Sequence, residues 1–434
     1  MTARHPIDMD DEDRTPARAA HERDLRPVPR ITIQAFCESH EVAAAIEGAR
    51  EDRRMAKAQV KVQTGSIAAA VEYYRDGVTP NLVVIESNDR RQKMLDELDQ
   101  LAEVCEPGTK VVVIGHVNDV ILYRELIRRG ISEYMVSPVQ AIDIVEVCSA
   151  LYADPKAKPL GRSIAVIGAK GGVGSSTVAH NIAWALSSDL DLATVLADLD
   201  IPFGTANLDF NQDPPQGIAD AVNAPDRLDQ TMIDRLLSNC TDRLSLLAAP
   251  SMLDRTVDLS ETAFETTIDI IRSFTPWLVL DVPHMWSGWS KRTLATADHV
   301  IVVAAPDLAN LRNAKNLLDT LKTLRPNEAP AKLVINQVGV PKRPEMPPVD
   351  FAKALDIQPL AVIPFDAQLF GTASNNGQMI AELQKTAKTA EAFREIARRV
   401  TGRTEAKKKS DGALSGLSMP FVEKFASRIQ ALRK

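Results

Sequence analysis

Between Ile164 and Thr177 the chain reads I-A-V-I-G-A-K-G-G-V-G-S-S-T, an apolar run entering a glycine-rich turn that opens a helical pattern. Residues of these types at this spacing suit a phosphate chain. Gly171, Gly172 and Gly174 let the backbone fold around an anion without Cβ clashes. The amides of Val173, Ser175, Ser176 and Thr177 then turn inward with those of the glycines. The helix that follows adds the partial positive charge of its N-terminus.

Two more segments bring carboxylates to the same place. Thr194–Asn207 reads T-V-L-A-D-L-D-I-P-F-G-T-A-N, so a strand delivers Asp198 and Asp200 at its carboxyl end. That is the edge at which open α/β sheets bind ligands. A second apolar strand, Trp277–Leu280, ends in Asp281-Val282-Pro283. Apolar residues closed by one acid form the Walker B pattern, in which the carboxylate holds Mg²⁺ through a water.

The loop resembles the deviant Walker A motif of the partitioning and septum-siting (ParA/MinD) ATPases, K-G-G-x-G-K-[ST]. The resemblance implies an ATP and Mg²⁺ site and a sandwich homodimer. Lys170 matches the early lysine that reaches across such a dimer to the partner's nucleotide, and Ser176 matches the Mg²⁺-ligating hydroxyl. The first carboxylate, Asp198, lies near Mg²⁺ in the family, and the second, Asp200, orients the attacking water. Leu333-Val334-Ile335-Asn336 matches the strand whose terminal Asn336 reads the adenine edge. Ala297–Val303 resembles the strand that closes the nucleotide half-site. Ile363-Pro364-Phe365-Asp366, followed by Ala373–Gly377, resembles the purine-side loop, with Pro364 and Asp366 as its contacts. One departure stands out: Ser175 replaces the second lysine, which would touch the β- and γ-phosphates. A charge-assisted contact of that kind contributes about 1.5–3 kcal/mol. Nucleotide binding is therefore expected to survive, with hydrolysis slow or absent.

The elements around these residues set the architecture. With 434 residues, 45% hydrophobic and 25% charged, the chain has the make-up of an ordinary multi-domain protein. A net charge of −7 argues against a generally basic nucleic-acid binder. The four cysteines, Cys37, Cys105, Cys148 and Cys240, form no C-x-x-C pair and read as reduced thiols of a cytoplasmic protein. No apolar stretch is long enough to span a membrane. Residues 1–29 read as a disordered leader, either a solvated tail without a role or a partner-binding arm. Five strands are expected in 30–153: Ile31–Phe36, Val60–Gln63, Leu82–Glu86, Val111–Gly115 and Glu133–Ser137. A linker over 154–161 follows. Seven strands are expected in 162–402: Ile164–Ile167, Thr194–Ala197, Leu244–Ala248, Trp277–Leu280, His299–Ala304, Lys332–Ile335 and Leu360–Val362. The reading is α/β, two doubly wound parallel-sheet domains in series.

The first domain resembles a response-regulator receiver stripped of its chemistry. Glu86 falls where the phospho-accepting aspartate belongs, Gly115 where Ser or Thr belongs, and Ser137 in place of lysine. Ala35 and Phe36 are expected where paired acids would hold Mg²⁺. What remains is a docking or localisation module, or a stabilising appendage. In the last segment, 403–434, Phe421, Phe425 and Ile429 recur at helical spacing over Pro420–Lys434 among basic residues. Such a helix can lie on an anionic membrane or pack on protein.

An atypical receiver joined to this loop is similar to the CpaE/TadZ family of tight-adherence (Flp) pilus assembly proteins. That implies a spatial organiser, recruited to a cell pole or the inner face of the inner membrane. Its partners would be a pilus secretion ATPase and envelope components, with no sequence-specific nucleic acid. The alternatives are a hydrolysing ParA/MinD-type ATPase and a signalling output protein.

Overall fold

The computed structural model describes residues 25–75, 77–152, 160–249 and 258–403. The expected leader up to residue 24, most of the linker (154–159) and the Pro420–Lys434 stretch lie outside the described residues.

The first sheet contains β1 (Thr32–Cys37), β2 (Gln59–Thr64), β3 (Leu82–Ser87), β4 (Lys110–Gly115) and β5 (Glu133–Val136). Their order is β2-β1-β3-β4-β5, and every neighbouring pair is parallel. Side chains alternate across a strand, and this sequence makes both faces apolar. Ile33, Ala35 and Val84 pack with Ile46 and Ile144 on one face, while Phe36, Val83 and Ile85 pack with Leu98 and Leu126 on the other.

Two boundaries differ from expectation. Val28, placed in the leader, is wholly buried, and its amide donates to the Arg54 carbonyl at 2.8 Å. The first strand also runs to Cys37, so Glu38 and Ser39, rather than Ala35 and Phe36, stand at its end. Both meet Glu86. That carboxylate is fully buried and accepts from the amides of Glu38 (2.8 Å) and Ser39 (2.7 Å), from the Ser39 hydroxyl (2.7 Å) and from His116 (3.0 Å). Burial opposes its charge, but these donors outweigh burial and hold its pKa below the usual value. A Cβ on Gly115 would lie 2.2 Å from the Tyr134 hydroxyl, so no Ser or Thr fits there beside that ring.

The second sheet contains β6 (Arg162–Gly168), β7 (Thr194–Asp198), β8 (Ser238–Asn239), β9 (Leu244–Leu247), β10 (Trp277–Val282), β11 (His299–Ala304), β12 (Lys332–Val338) and β13 (Ala361–Pro364). The order is β13-β12-β11-β6-β10-β7-β9-β8. All pairs are parallel except the edge pair β8–β9. The two-residue β8, Ser-Asn, carries no apolar signal and was not expected. Ile164 and Val166 face one helical layer, Ala165 and Ile167 the other.

The domains meet at the amino ends of β6, β11 and β12. Arg53 of the first domain donates to Asp298 (2.6 Å), Glu328 (2.9 Å) and the Thr296 carbonyl (2.8 Å). Arg54 pairs with Glu328 at 2.6 Å and with Asp52 at 3.0 Å, while Asn327 donates to Asp52 at 3.0 Å. Asp298 also accepts from Arg272 (2.9 Å) and the Ser163 amide (2.8 Å). Burial alone would raise its pKa, but Arg53 and Arg272 hold it well below the carboxylate range. Sequence resemblance makes Ala297–Val303 the strand that closes the nucleotide half-site: its Val303 carbonyl accepts from the Ala169 amide of the glycine loop at 2.8 Å, while Asp298 at the amino end serves the docking of the two domains.

Candidate nucleotide site

β6 lies between β11 and β10 and runs straight into the glycine loop, where the chain reverses into the helix Ser175–Trp184. Gly172 and Gly174 have φ of 79° and 81°, a backbone region costly for other residues. At Gly174 space is also short, since a Cβ there would lie 2.7 Å from the Asn336 amide nitrogen. Side chains on the rim hold the loop by its carbonyls. His284 bonds Gly168 at 2.8 Å, Asn313 donates to Ala169 at 3.0 Å, Gln337 to Gly172 at 2.9 Å and Asn336 to Val173 at 2.8 Å. Those bonds occupy the carbonyls of Gly168, Ala169, Gly172 and Val173.

Lys170, Gly171 and Gly172 are exposed; Gly174, Ser175, Ser176 and Thr177 are half-buried in the loop and first turn, and Val173 is buried beneath them. Asn336 was expected at the adenine edge; here its amide nitrogen is bonded to the loop. Pro364 closes β13, and Asp366 caps the helix Ala367–Asn376, accepting from Leu369 at 2.9 Å. Neither points to a purine by itself.

Asp198 and Asp281 are register partners on β7 and β10. Asp198 is buried and accepts from the Asp200 amide at 3.0 Å and the Ala206 amide at 3.2 Å. Burial, then the neighbouring Asp281 charge, drives its pKa up. Asp200 is half-buried and bonds the Phe203 amide at 3.2 Å. Asp281 Oδ1 is buried and has no partner among the described residues. An orphaned carboxylate oxygen beside an anion cradle fits a hydrated Mg²⁺. Among the described residues there is no group of three or more His, Cys, Asp or Glu that could hold a metal ion.

His180 was missed. It is fully buried, with Nδ1 2.8 Å from Asp209 and Nε2 3.2 Å from Asp281, the latter an ion contact rather than an aligned hydrogen bond. Burial pushes its pKa down, but the two carboxylates outweigh burial and carry it up to about 10. The signal was present: His180-Asn181 is a polar pair in the buried middle of an otherwise largely apolar helix.

Similarity to known proteins decides the family. The chain is 52% identical to the CpaE pilus assembly protein of Caulobacter crescentus, covering 98% of that chain and 30% of this one, with a TM-score of 0.29. The chain belongs to the CpaE family of pilus assembly proteins. The identity over nearly all of that chain carries this assignment, not the TM-score. Residues 161–335 match a family model described as an AAA domain. The chain is also similar to the septum site-determining protein MinD of Bacillus subtilis, 28% identical over 250 residues, 56% of this chain and 90% of that protein. A ParA family ATPase from Chlorobium tepidum, 24% identical, covers 54% of this chain with 98% of its own length at a TM-score of 0.50, a likeness of fold. The CpaE-family chain thus joins a ParA/MinD-type ATPase fold to a receiver-like domain. Among the described residues, no helix is long and apolar enough to cross a membrane.

Proposed function

We propose that this CpaE-family protein binds ATP with Mg²⁺, dimerises on it, and serves as a spatial organiser of tight-adherence pilus assembly with little or no hydrolysis. The carrying observation is the loop from Lys170 to Thr177: its Gly172 and Val173 carbonyls are held by rim side chains, a helix begins directly behind it, and Ser175 stands where a phosphate-binding lysine would. The Ser176 hydroxyl and Asp281, through water, would hold Mg²⁺, with Asp198 behind them. The ion would neutralise phosphate charge. The amides and helix end then bind the phosphates, and Asp200 orients any water at the terminal phosphate. Without a second lysine, charge developing on that phosphate lacks a stabiliser.

Dimerisation draws support from the same edge. Phe203, Met285, Trp286 and Leu308 follow the carboxyl ends of β7, β10 and β11, and all are exposed, Leu308 at 73%. Large apolar side chains grouped on one edge around exposed Lys170 suit a face covered by a second copy. The receiver-like domain, with its acceptor position locked, is the docking module for a pilus secretion ATPase or envelope components at a cell pole. The stretch Pro420–Lys434 would add a membrane or protein contact.

Calorimetry with Mg²⁺ and adenine nucleotides tests the binding half. No heat at millimolar nucleotide removes it. Phosphate release, with and without liposomes or DNA, tests the other half. Robust turnover by the wild type favours a hydrolysing partitioning ATPase. Ser175→Lys should raise a slow rate; no gain would mean that other catalytic parts are also missing.

A further inference from the structure

We propose that His180 is a positioning residue of the nucleotide site: it ties Asp281 to the segment 206–211, so that filling the metal site is transmitted to the exposed face bearing Phe203 and Leu208. This rests on the nucleotide reading above. The geometry is a three-part strut. One ring nitrogen meets Asp281 Oδ2 at 3.2 Å, and the other meets Asp209 Oδ2 at 2.8 Å. The ring is fully buried and packs against Phe210 with centroids 5.8 Å apart. A buried imidazole between two carboxylates is tolerated only while both contacts hold, so its position is fixed by them.

The other ends of the strut are fixed too. Asp209 closes the short helix Ala206–Asp209, whose first amide is held by Asp198 at 3.2 Å. The turn after it lies against the expected purine-side loop, where a Cβ on Gly377 would stand 2.7 Å from the Leu208 carbonyl and 3.1 Å from Asn211. The neighbouring Asn181 bonds the Thr177 carbonyl at 2.9 Å and the Ile380 amide at 3.0 Å. Adjacent residues of one helix therefore connect the metal-facing carboxylate, the 206–211 segment and the chain beyond Gly377. A cation that recruits Asp281 acts on the carboxylate His180 already holds. The displacement or stiffening passes through Asp209 to the exposed Phe203–Leu208 surface.

The test compares the full-length wild type with His180→Gln and Asp209→Asn. A fluorescent adenine diphosphate is titrated with and without Mg²⁺, and amide exchange is followed over 200–211. Groups that orient a metal-binding carboxylate typically govern about 10–100-fold of metal affinity, so each variant should lose about tenfold or more of the Mg²⁺-dependent gain while Mg²⁺-free binding stays within about twofold. Nucleotide-induced protection of 200–211 should vanish in both. Variants with the wild-type Mg²⁺ gain and wild-type protection would overturn the proposal while leaving the nucleotide site intact. A wild type that binds no nucleotide would overturn the site reading, and this one with it. Should His180→Gln fail to fold, Asp209→Asn decides alone, because Asp209 is partly exposed and reaches Asp281 only through His180.

Discussion

Replacing Arg53 by Ala removes the centre of the interdomain cluster, and the structure sets the size of the effect. The guanidinium is 15% exposed and serves two carboxylates, Asp298 at 18% and Glu328 at 10% exposure. Stranding a buried charge costs about 3–5 kcal/mol, whereas an exposed pair contributes about 0.2–1 kcal/mol. Neither carboxylate is stranded completely. Asp298 retains Arg272 and Ser163, and Glu328 retains Arg54. The expected loss is therefore intermediate, about 2–3 kcal/mol, or roughly 30–150-fold in the docking equilibrium. Arg53→Lys keeps the charge without the fork and should lose about half as much. Amide exchange at 49–58 and 294–298 reads docking, and urea unfolding reads the coupled stability. The sign with pH follows from Asp298. Its pKa is depressed by docking, so its contribution is present above the unfolded value of about 4 and is lost as pH falls below it. An Arg53→Ala protein within about 0.5 kcal/mol of wild type, with protection unchanged, would show the cluster to be no stronger than surface ion pairs.

Three further outcomes are expected. Gly174→Ala should cost about 1–3 kcal/mol by thermal unfolding and abolish nucleotide uptake, because a side chain there needs φ of 81° and meets Asn336; normal stability would refute the steric reading. Lys170→Ala should weaken ATP-dependent self-association in gel filtration more than it weakens monomer binding of nucleotide. Normal ATP-dependent dimerisation would remove Lys170 from the dimer contact. Treatment with a small phosphodonor should add no phosphoryl mass to the receiver-like domain, since Glu86 already accepts four hydrogen bonds. A phosphorylated Glu86 in intact-mass and peptide analysis would contradict this.

Local pattern was sufficient for much of this protein. Apolar runs of strand length, alternating with amphipathic helices, declared two parallel sheets, because strands buried on both faces must be apolar throughout. The glycine loop and the acids Asp198, Asp200 and Asp281 were legible for a related reason. Chemistry at the carboxyl ends of strands needs particular residue types in a fixed local order, and such order survives in one dimension. The resemblance to a receiver was legible residue by residue, although one slip in the end of β1 assigned Ala35 and Phe36 to places that Glu38 and Ser39 hold.

Only tertiary structure decided the rest, and in each case the determining contact spans distant segments. Nothing near Asp298 in sequence marks it as the seat of Arg53, 245 residues away; a lone acid before a strand has no periodicity to read. His180 becomes a strut only because β10 and the 206–211 segment fold against opposite sides of its ring. Asn336 and Gln337 reveal their hold on the loop only when β12 is placed next to β11 and β11 next to β6. Sequence specifies which groups are available. Long-range packing selects partners among them, because burial makes an unpaired charge or amide too costly to leave alone.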